Sequence, residues 1–216
     1  MTFTDIILQL LPGMEKSVMI FLCTLLFSMP LGLLVTFGRM SKCVVIRGIV
    51  KAYISIMRGT PLMLQLMVVY FGPFFIFGIR ISDSYRLYAV LTAFAINYAA
   101  YFAEIYRGGI MAMDNGQYEA AKLLGYSKSQ TFTKIILPQV IKTILPSVTN
   151  EVITLVKDTS LSFAIAYLEM FTMAKALAAA QKSMLPFVAA AIFYYVFNFI
   201  VAFAMEKLEK KLAYYR

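Results

Sequence analysis

The sequence predicts an all-α protein that spans a membrane with five helices. Of its 216 residues, 61% are apolar and only 14% are charged, whereas soluble domains average about 45–50% and about 25%. A soluble domain of this length could not bury so much apolar surface. Long uncharged segments recur along the chain, and the basic residues collect in alternate loops. We therefore expect the surrounding solvent to be lipid.

The five predicted transmembrane helices form one domain over residues 1–216. Four uncharged runs, and a fifth apolar segment that contains ionisable residues, are each near the length that crosses about 30 Å of hydrocarbon. The predicted spans lie at about 17–38, 54–79, 86–107, 138–160 and 184–206. Pro30 lies inside the first span and Pro73 inside the second, where proline predicts a kink or an unwound turn.

The basic residues predict the orientation of the chain, because Lys and Arg accumulate on the side of a membrane that is not translocated. Fourteen of the 20 follow the first span, follow the third span or lie in the C-terminal tail. The first group is Arg39, Lys42, Arg47, Lys51 and Arg58, and the tail group is Lys207, Lys210, Lys211 and Arg216. The N-terminus is therefore predicted outside and the C-terminus in the cytoplasm. This placement explains the net charge of +9 without nucleic acid as a partner.

The composition excludes several chemistries. The chain has no histidine, so it cannot contain a Ser-His or Cys-His nucleophile pair or a histidine metal site. Cys23 lies in an apolar run and Cys43 in a basic loop, a placement that favours neither a disulfide nor a metal cluster. We expect no metal site.

The fourth predicted span carries three ionisable residues, Glu151, Lys157 and Asp158, within eight positions. A charge at the bilayer centre costs about 2.5–3.5 kcal/mol on insertion scales, so these residues require a reason. At about 100° per residue, the three residues and Thr154 fall in one arc of the helix. Valine, leucine and isoleucine occupy the opposite arc, which predicts that one face of this helix borders a polar interior.

The chemical interpretation of this arc is a site for a small zwitterion. Lys157 would neutralise a carboxylate, while Glu151 or Asp158 would bind an ammonium group. Two alternatives remain open: Lys157 pairs with a neighbouring acid, or it lies near the lipid headgroups and extends toward them.

Weaker candidates for solute contact lie in the second and third spans. Gln65 and Asn97 are neutral polar residues that either line a solute path or bond one helix to the next. Gly72, beside Pro73, is a further substrate-binding candidate at the expected kink or unwound turn.

The long basic loop between the third and fourth spans predicts two short helices joined at Gly125. Glycine suits the left-handed end of the first helix, Ser127 suits the N-cap of the second, and Pro138 can open the next span. Ala120 and Ala121 in the first helix would present a small-residue surface on which another protein sits closely. The alternative is a surface helix at the membrane interface.

This loop resembles the cytoplasmic loop of the permease family of ATP-binding-cassette (ABC) importers. The motif of that family has the form EAA, three residues, G, about nine residues, and then I-x-L-P or a close variant. Its matches here are Glu119-Ala120-Ala121, Gly125 and Ile136-Leu137-Pro138. Further strings resemble the polar amino-acid subfamily, the permeases for histidine, glutamine, arginine and cystine; they include Arg58-Gly59-Thr60-Pro61-Leu62, Ala103-Glu104-Ile105 and Lys157-Asp158-Thr159.

The resemblance implies the transmembrane domain of a type I ABC importer, which moves a polar L-amino acid into the cytoplasm by alternating access. Within the loop at 114–138, the helix at 119–125 would be the coupling helix that docks on an ATPase. The residues that carry this role would be Glu119, Ala120, Ala121, Gly125 and Pro138. The solute cavity would lie midway across the membrane, lined partly by Glu151, Lys157 and Asp158.

The resemblance also implies the partners. The permease would pair with a second copy or a related permease in the bacterial cytoplasmic membrane and rest on two ATPase subunits. An extracytoplasmic binding protein would deliver the amino acid. The chain contains no G-x-x-x-x-G-K-[ST] motif, so ATP and Mg²⁺ would bind to the ATPase. The permease would have no cofactor of its own and would not be an enzyme.

Two other functions stay open from the residues alone. An intramembrane enzyme would use Asp158 and Glu151 as an acid pair, and transport assays with and without the ATPase distinguish it from a permease. A membrane scaffold would assemble a complex without moving solute and would tolerate neutral replacements of Glu151 and Lys157.

Overall fold

The computed structural model describes residues 2–212, which contain helices and no β-strand. Arg216, one of the predicted basic tail residues, lies outside the described residues. The α-helices are α1 (Phe3–Arg39), α2 (Val44–Gly59), α3 (Leu62–Phe77), α4 (Tyr85–Met111), α5 (Asn115–Leu123), α6 (Lys128–Gln130), α7 (Leu137–Asp158), α8 (Met170–Gln181) and α9 (Leu185–Leu212). A π-helical stretch, Thr131–Ile136, joins α6 to α7, and a 3-10 helix, Thr159–Ile165, follows α7.

The described helices provide three to five membrane spans. Three of them, α1, α4 and α9, are long and apolar enough to cross a membrane individually. Two further segments meet the same criterion only as bent pairs. Helices α2 and α3 meet at 110°, and the helical segment Lys128–Ile165 meets α8 at 57°. Five spans result if each bent pair crosses the membrane once.

The second predicted span, 54–79, is not one helix. α2 ends at Gly59 and α3 begins at Leu62, with Thr60 in an extended conformation between them (φ −124°, ψ 148°). Pro61 is the cause, because proline has no N–H to donate and disfavours the helical conformation of the residue before it. The break occurs at Thr60–Pro61, whereas Pro73 remains inside α3.

The first helix is longer than the predicted 17–38. It begins at Phe3, where Thr2 and Asp5 form a reciprocal capping box, and it continues past the charges of Glu15 and Lys16. Pro30 lies inside this helix without ending it.

The predicted turn at Gly125 is confirmed. Gly125 has a left-handed φ of +81°, and Ser127 caps the next helix by accepting a hydrogen bond from the Gln130 N–H. That next helix is not a separate short element, however, because Lys128–Ile165 is helical throughout. Pro138, predicted to open the fourth span, therefore sits in the first turn of α7 in a helix that is already under way.

Helices α1 and α4 form the centre of the bundle. Gly32 of α1 lets the two backbones approach closely: a Cβ at this position would lie 2.8 Å from the Phe102 Cβ and 3.1 Å from the Ala99 carbonyl oxygen. One turn later, the Thr36 hydroxyl donates to the Ala103 carbonyl at 3.1 Å. A second apolar cluster, Ile6, Leu10, Met170, Ala174, Ala189 and Ala190, packs α8 between α1 and α9.

The outer surface of the bundle is strongly apolar. Phe75 and Phe77 of α3 and Tyr195 of α9 are each more than two-thirds exposed. Such surfaces are rare on soluble monomers and agree with helices that face lipid or another subunit.

Candidate solute site

The break between α2 and α3 is held by two side-chain amides. The Gln65 amide nitrogen donates to the carbonyl oxygens of Met57 (2.9 Å) and Thr60 (3.1 Å) and to the Thr60 hydroxyl (2.8 Å). The Asn97 amide nitrogen, from α4, donates to the same Met57 carbonyl (3.0 Å) and to the Gln65 side-chain oxygen (2.9 Å). These bonds satisfy carbonyl groups that have no helical N–H partner at the break. Non-helical backbone within a membrane protein requires such replacement partners.

A cavity of about 380 Å³ opens beside this break. Three elements line it: the break with Thr60, Pro61 and Leu62; α4 with Asn97, Tyr98 and Tyr101; and α7 with its continuation, through Glu151, Thr154, Asp158 and Leu161. Sites for small molecules begin at about 300 Å³, so the cavity is large enough for an amino acid.

Two carboxylates from one face of α7 point into the cavity. The Tyr98 hydroxyl donates to Asp158 Oδ2 at 2.7 Å, whereas Glu151 receives no hydrogen bond within residues 2–212. Both acids are partly buried. The cavity therefore contains one carboxylate that already has a partner and one that is available to a cationic group.

The burial of α7 agrees with the predicted division into two faces. The apolar arc is packed against the protein core, with Val148, Val152 and Leu155 buried, while Asn150 and Thr154 on the polar arc are exposed. Burial against protein, rather than contact with lipid, thus accounts for the apolar face.

Three predicted site residues do not line this cavity: Gln65, whose amide holds the break, Lys157 and Gly72. Lys157 lines a separate cavity of about 330 Å³ that faces α8 and α9, with Phe171, Phe187 and Tyr194 among its neighbours. No ion pair within 4.0 Å joins Lys157 to an acid in the described part of the chain. Gly72 lies in α3, where an added Cβ would contact only Ile76, at 3.9 Å.

Other residues of the site were not predicted from the sequence. Tyr98 and Tyr101 lie on the same side of α4 as Asn97, and their aromatic rings gave no signal different from ordinary membrane packing. The Thr60–Pro61 pair did carry a signal, because a residue before proline favours extended backbone. Arg58, which the sequence places among the basic loop residues, makes a cation–π contact with Tyr101, its guanidinium carbon lying 5.3 Å from the ring centroid.

The predicted coupling residues lie on and after α5. Asp114 caps this helix by accepting a hydrogen bond from the Gly116 N–H at 2.7 Å. Glu119 and Ala120 are exposed, but Ala121 is buried, so the prediction that both alanines are exposed is wrong. Neighbouring residues of a helix point about 100° apart, and Ala121 faces the helix that follows.

The apolar surface that α5 exposes comes from its C-terminal end. Leu123 and Leu124 are 89% and 75% exposed. On its inner side, α5 is bound to α7 by a reciprocal amide pair: Gln117 Nε2 donates to Gln139 Oε1 at 2.8 Å, and Gln139 Nε2 donates to Gln117 Oε1 at 2.6 Å.

Residues 28–214 match the family described as the binding-protein-dependent transport system inner membrane component. This chain belongs to that family. The family consists of membrane permeases, not enzymes, so the intramembrane-enzyme alternative is excluded.

Individual relatives match over nearly the whole chain. An arginine transport system permease protein from Bacillus subtilis (strain 168) is 35% identical over 94% of this chain and 92% of its own length. An L-cystine transport system permease protein from the same organism is 34% identical over 96% of this chain and 89% of its own length.

The fold matches those of solved transporters. A crystal structure described as an amino acid ABC transporter with histidines superposes with a TM-score of 0.87 at 29% identity, covering 98% of this chain and 99% of that one. The MetNI methionine ABC transporter has the same fold at 17% identity, with a TM-score of 0.74 and coverage of 95% and 96%. The chain thus has the fold of a type I ABC importer permease.

Proposed function

We propose that this chain is the permease subunit of an ABC importer that moves a polar amino acid into the bacterial cytoplasm. The observation that carries the proposal is the acidic cavity of about 380 Å³ at the helix break. It lies in a bundle similar to that of an amino acid ABC transporter. The arginine and cystine permeases among the relatives support a polar amino acid as solute.

Within the cavity, Glu151 and Asp158 bind the cationic groups of the solute, and Thr154 and Asn97 contribute neutral polar contacts. An ammonium group beside a carboxylate in a site of low water content forms a strong, charge-assisted hydrogen bond. Gln65 acts indirectly by holding the break in place. Lys157 and Gly72 have no place in this cavity, so we do not assign them to solute binding.

The partners follow from the family. Two ATPase subunits bind ATP and Mg²⁺ and dock on α5, whose exposed Ala120, Leu123 and Leu124 offer an apolar contact surface. A second permease, identical or related, completes the membrane domain, and an extracytoplasmic binding protein delivers the solute.

The mechanism is alternating access, and the helix that follows α5 provides a path for the movement. The Gln117–Gln139 pair binds α5 to α7, and the helix from Lys128 continues without a break past Asp158. A displacement of α5 by the closing ATPase is therefore transmitted along one helix to the carboxylates of the cavity.

The decisive experiment is uptake by proteoliposomes that contain the permease, its ATPase and its binding protein. We expect uptake of at least one of radiolabelled arginine, histidine, glutamine and cystine when ATP is supplied on the ATPase side, and none with a hydrolysis-deficient ATPase. An assembled complex that hydrolyses ATP but takes up no amino acid would contradict the proposal and favour the scaffold.

A further inference from the structure

Arg58 stands at the edge of the cavity rather than in a solvated loop. It is in the last turn of α2, two residues before the break, and its guanidinium lies over the Tyr101 ring in a cation–π contact. Tyr101 and Thr60 both line the cavity. The positive charge of Arg58 therefore lies beside the cavity, because Thr60 is two residues away in the chain and Tyr101 contacts the guanidinium.

The guanidinium of Arg58 is available to a ligand. Arg39 and Arg107 share Glu104, and Arg86 pairs with Asp83. Arg58, by contrast, is exposed and makes neither a hydrogen bond nor an ion pair within 4.0 Å in residues 2–212.

The carboxylate of a zwitterionic solute needs a positively charged partner, and the described lining of the cavity does not provide one. Among the described residues, its ionisable lining consists of Glu151, Asp158 and two tyrosines, with no lysine or arginine. A zwitterionic amino acid would place its α-carboxylate near two like charges, and an uncompensated carboxylate away from water is costly. Arg58 lies beside this cavity through its contact with Tyr101, whereas Lys157 faces a different cavity.

We infer that Arg58 binds the α-carboxylate of the transported amino acid at the edge of the cavity. Arginine presents a planar set of donors that matches a carboxylate in two parallel hydrogen bonds, and the cation–π contact with Tyr101 holds the guanidinium beside the cavity. Arg58 then provides the positive charge of the site, and Glu151 and Asp158 provide its negative charges. This inference rests on the proposed function.

The test compares an amino acid with its uncharged α-carboxamide. Binding is measured on the detergent-purified permease–ATPase complex without the binding protein, so that only the permease selects. The probe is whichever of radiolabelled arginine, histidine, glutamine and cystine the wild-type complex binds best, and the competitor is the α-carboxamide of the same amino acid. We expect the wild type to prefer the carboxylate and Arg58→Gln to lose this preference, through a decrease of about 10- to 100-fold in affinity for the amino acid.

Two further variants provide the controls. Lys51→Gln removes a positive charge from the same helix, two turns earlier, and is expected to keep the preference. Arg58→Lys keeps the charge without the planar donors and is expected to retain part of it. Size-exclusion chromatography establishes that each complex is assembled.

The outcomes separate the two proposals. Binding of the amino acid by Arg58→Gln with an unchanged preference, or an equal loss for the acid and the amide, would overturn the role of Arg58 alone. A wild-type complex that binds no amino acid would overturn the proposed function and this inference with it.

Discussion

At the scale of single residues, the buried carboxylate of Glu169 is the group that most needs hydrogen-bond donors around it. It is fully buried and has no basic partner in the described residues. Instead it accepts hydrogen bonds from the backbone N–H groups of Phe171 (2.7 Å) and Thr172 (2.8 Å) and from three hydroxyls, of Thr172, Tyr194 and Ser17. The carboxylate thereby caps α8 and bonds it to α1 and α9.

Replacing Glu169 with alanine should destabilise the bundle. The variant loses an N-cap, about 1 kcal/mol, and leaves the partly buried hydroxyls of Thr172 and Tyr194 without this acceptor, about 1–3 kcal/mol more. We expect a clearly lower thermal unfolding midpoint for the purified permease in detergent. Glu15→Ala, which removes an exposed glutamate of α1, serves as the control, and equal midpoints for the two variants would contradict this role.

Replacements of Glu151 and Lys157, which both lie on α7, should have different effects on the affinity for solute. Glu151→Gln removes a partner of the cationic group and should weaken binding of the transported amino acid by about tenfold or more. Lys157→Met should leave the affinity unchanged, because Lys157 faces the separate cavity near α8 and α9. Scintillation proximity binding measures both, and a larger loss for Lys157→Met would restore the assignment that the sequence suggested.

At the scale of elements, the break between α2 and α3 gives the site its shape. It exposes Thr60 and Pro61 to the cavity, and its free carbonyls are satisfied by Gln65 and Asn97. The sequence alone left two roles open for each of these amides: contact with solute, or a hydrogen bond between helices. Their donors are occupied by the break, which favours the second role for Gln65, while Asn97 also lines the cavity.

The two amides should be energetically coupled. Gln65→Leu and Asn97→Leu should each lower the thermal stability of the permease and its affinity for solute together. Gln65→Leu leaves the Thr60 carbonyl without a donor, and Asn97→Leu removes one of the two donors to the Met57 carbonyl and the donor to the Gln65 side-chain oxygen. The double variant should differ from the sum of the single ones, since the amides bond each other and share the Met57 carbonyl. Strict additivity in this double-mutant cycle would contradict a shared role.

The link between α5 and α7 makes a separate prediction. Gln139→Leu removes the amide pair with Gln117 but leaves the exposed surface of α5 unchanged. We expect the ATPase to co-purify and to hydrolyse ATP, while amino acid uptake per ATP falls. Thr133→Ala, which removes only a local bond to the Ser129 carbonyl, is the control; an unchanged uptake ratio in Gln139→Leu would show that this link is not needed.

At the scale of the whole molecule, the membrane orientation remains a prediction from the loop charges. The two cysteines make it testable, because Cys43 is exposed between α1 and α2, on the predicted cytoplasmic side, while Cys23 lies within α1.

A membrane-impermeant maleimide should therefore label Cys43 in inside-out vesicles and not in right-side-out vesicles. Met184→Cys in a Cys43→Ser background should show the opposite pattern, since Met184 is exposed just before α9, at the predicted outer end of the fifth span. Labelling of Cys43 from the outside would reverse the proposed direction of the chain.

Much of this architecture was predictable because its signals are local. The long apolar segments, the left-handed Gly125 with its Ser127 cap, and the two faces of α7 each depend on residues within one or two helical turns. The break at Thr60–Pro61 also had a local signal, but the apolar run across it suggested a single helix.

The sequence alone determined that the chain is a helical permease with acids on one face of α7. The periodicity of a helix sets the angle between its side chains, and loop motifs are contiguous in the chain. Only the tertiary structure decided which charges meet. Lys157 is separated from Glu151 because the two positions line different cavities, and Arg58 lies beside the cavity of Glu151, where the backbone turns by 110° after α2. Contacts between distant residues depend on helix packing, which no local pattern specifies.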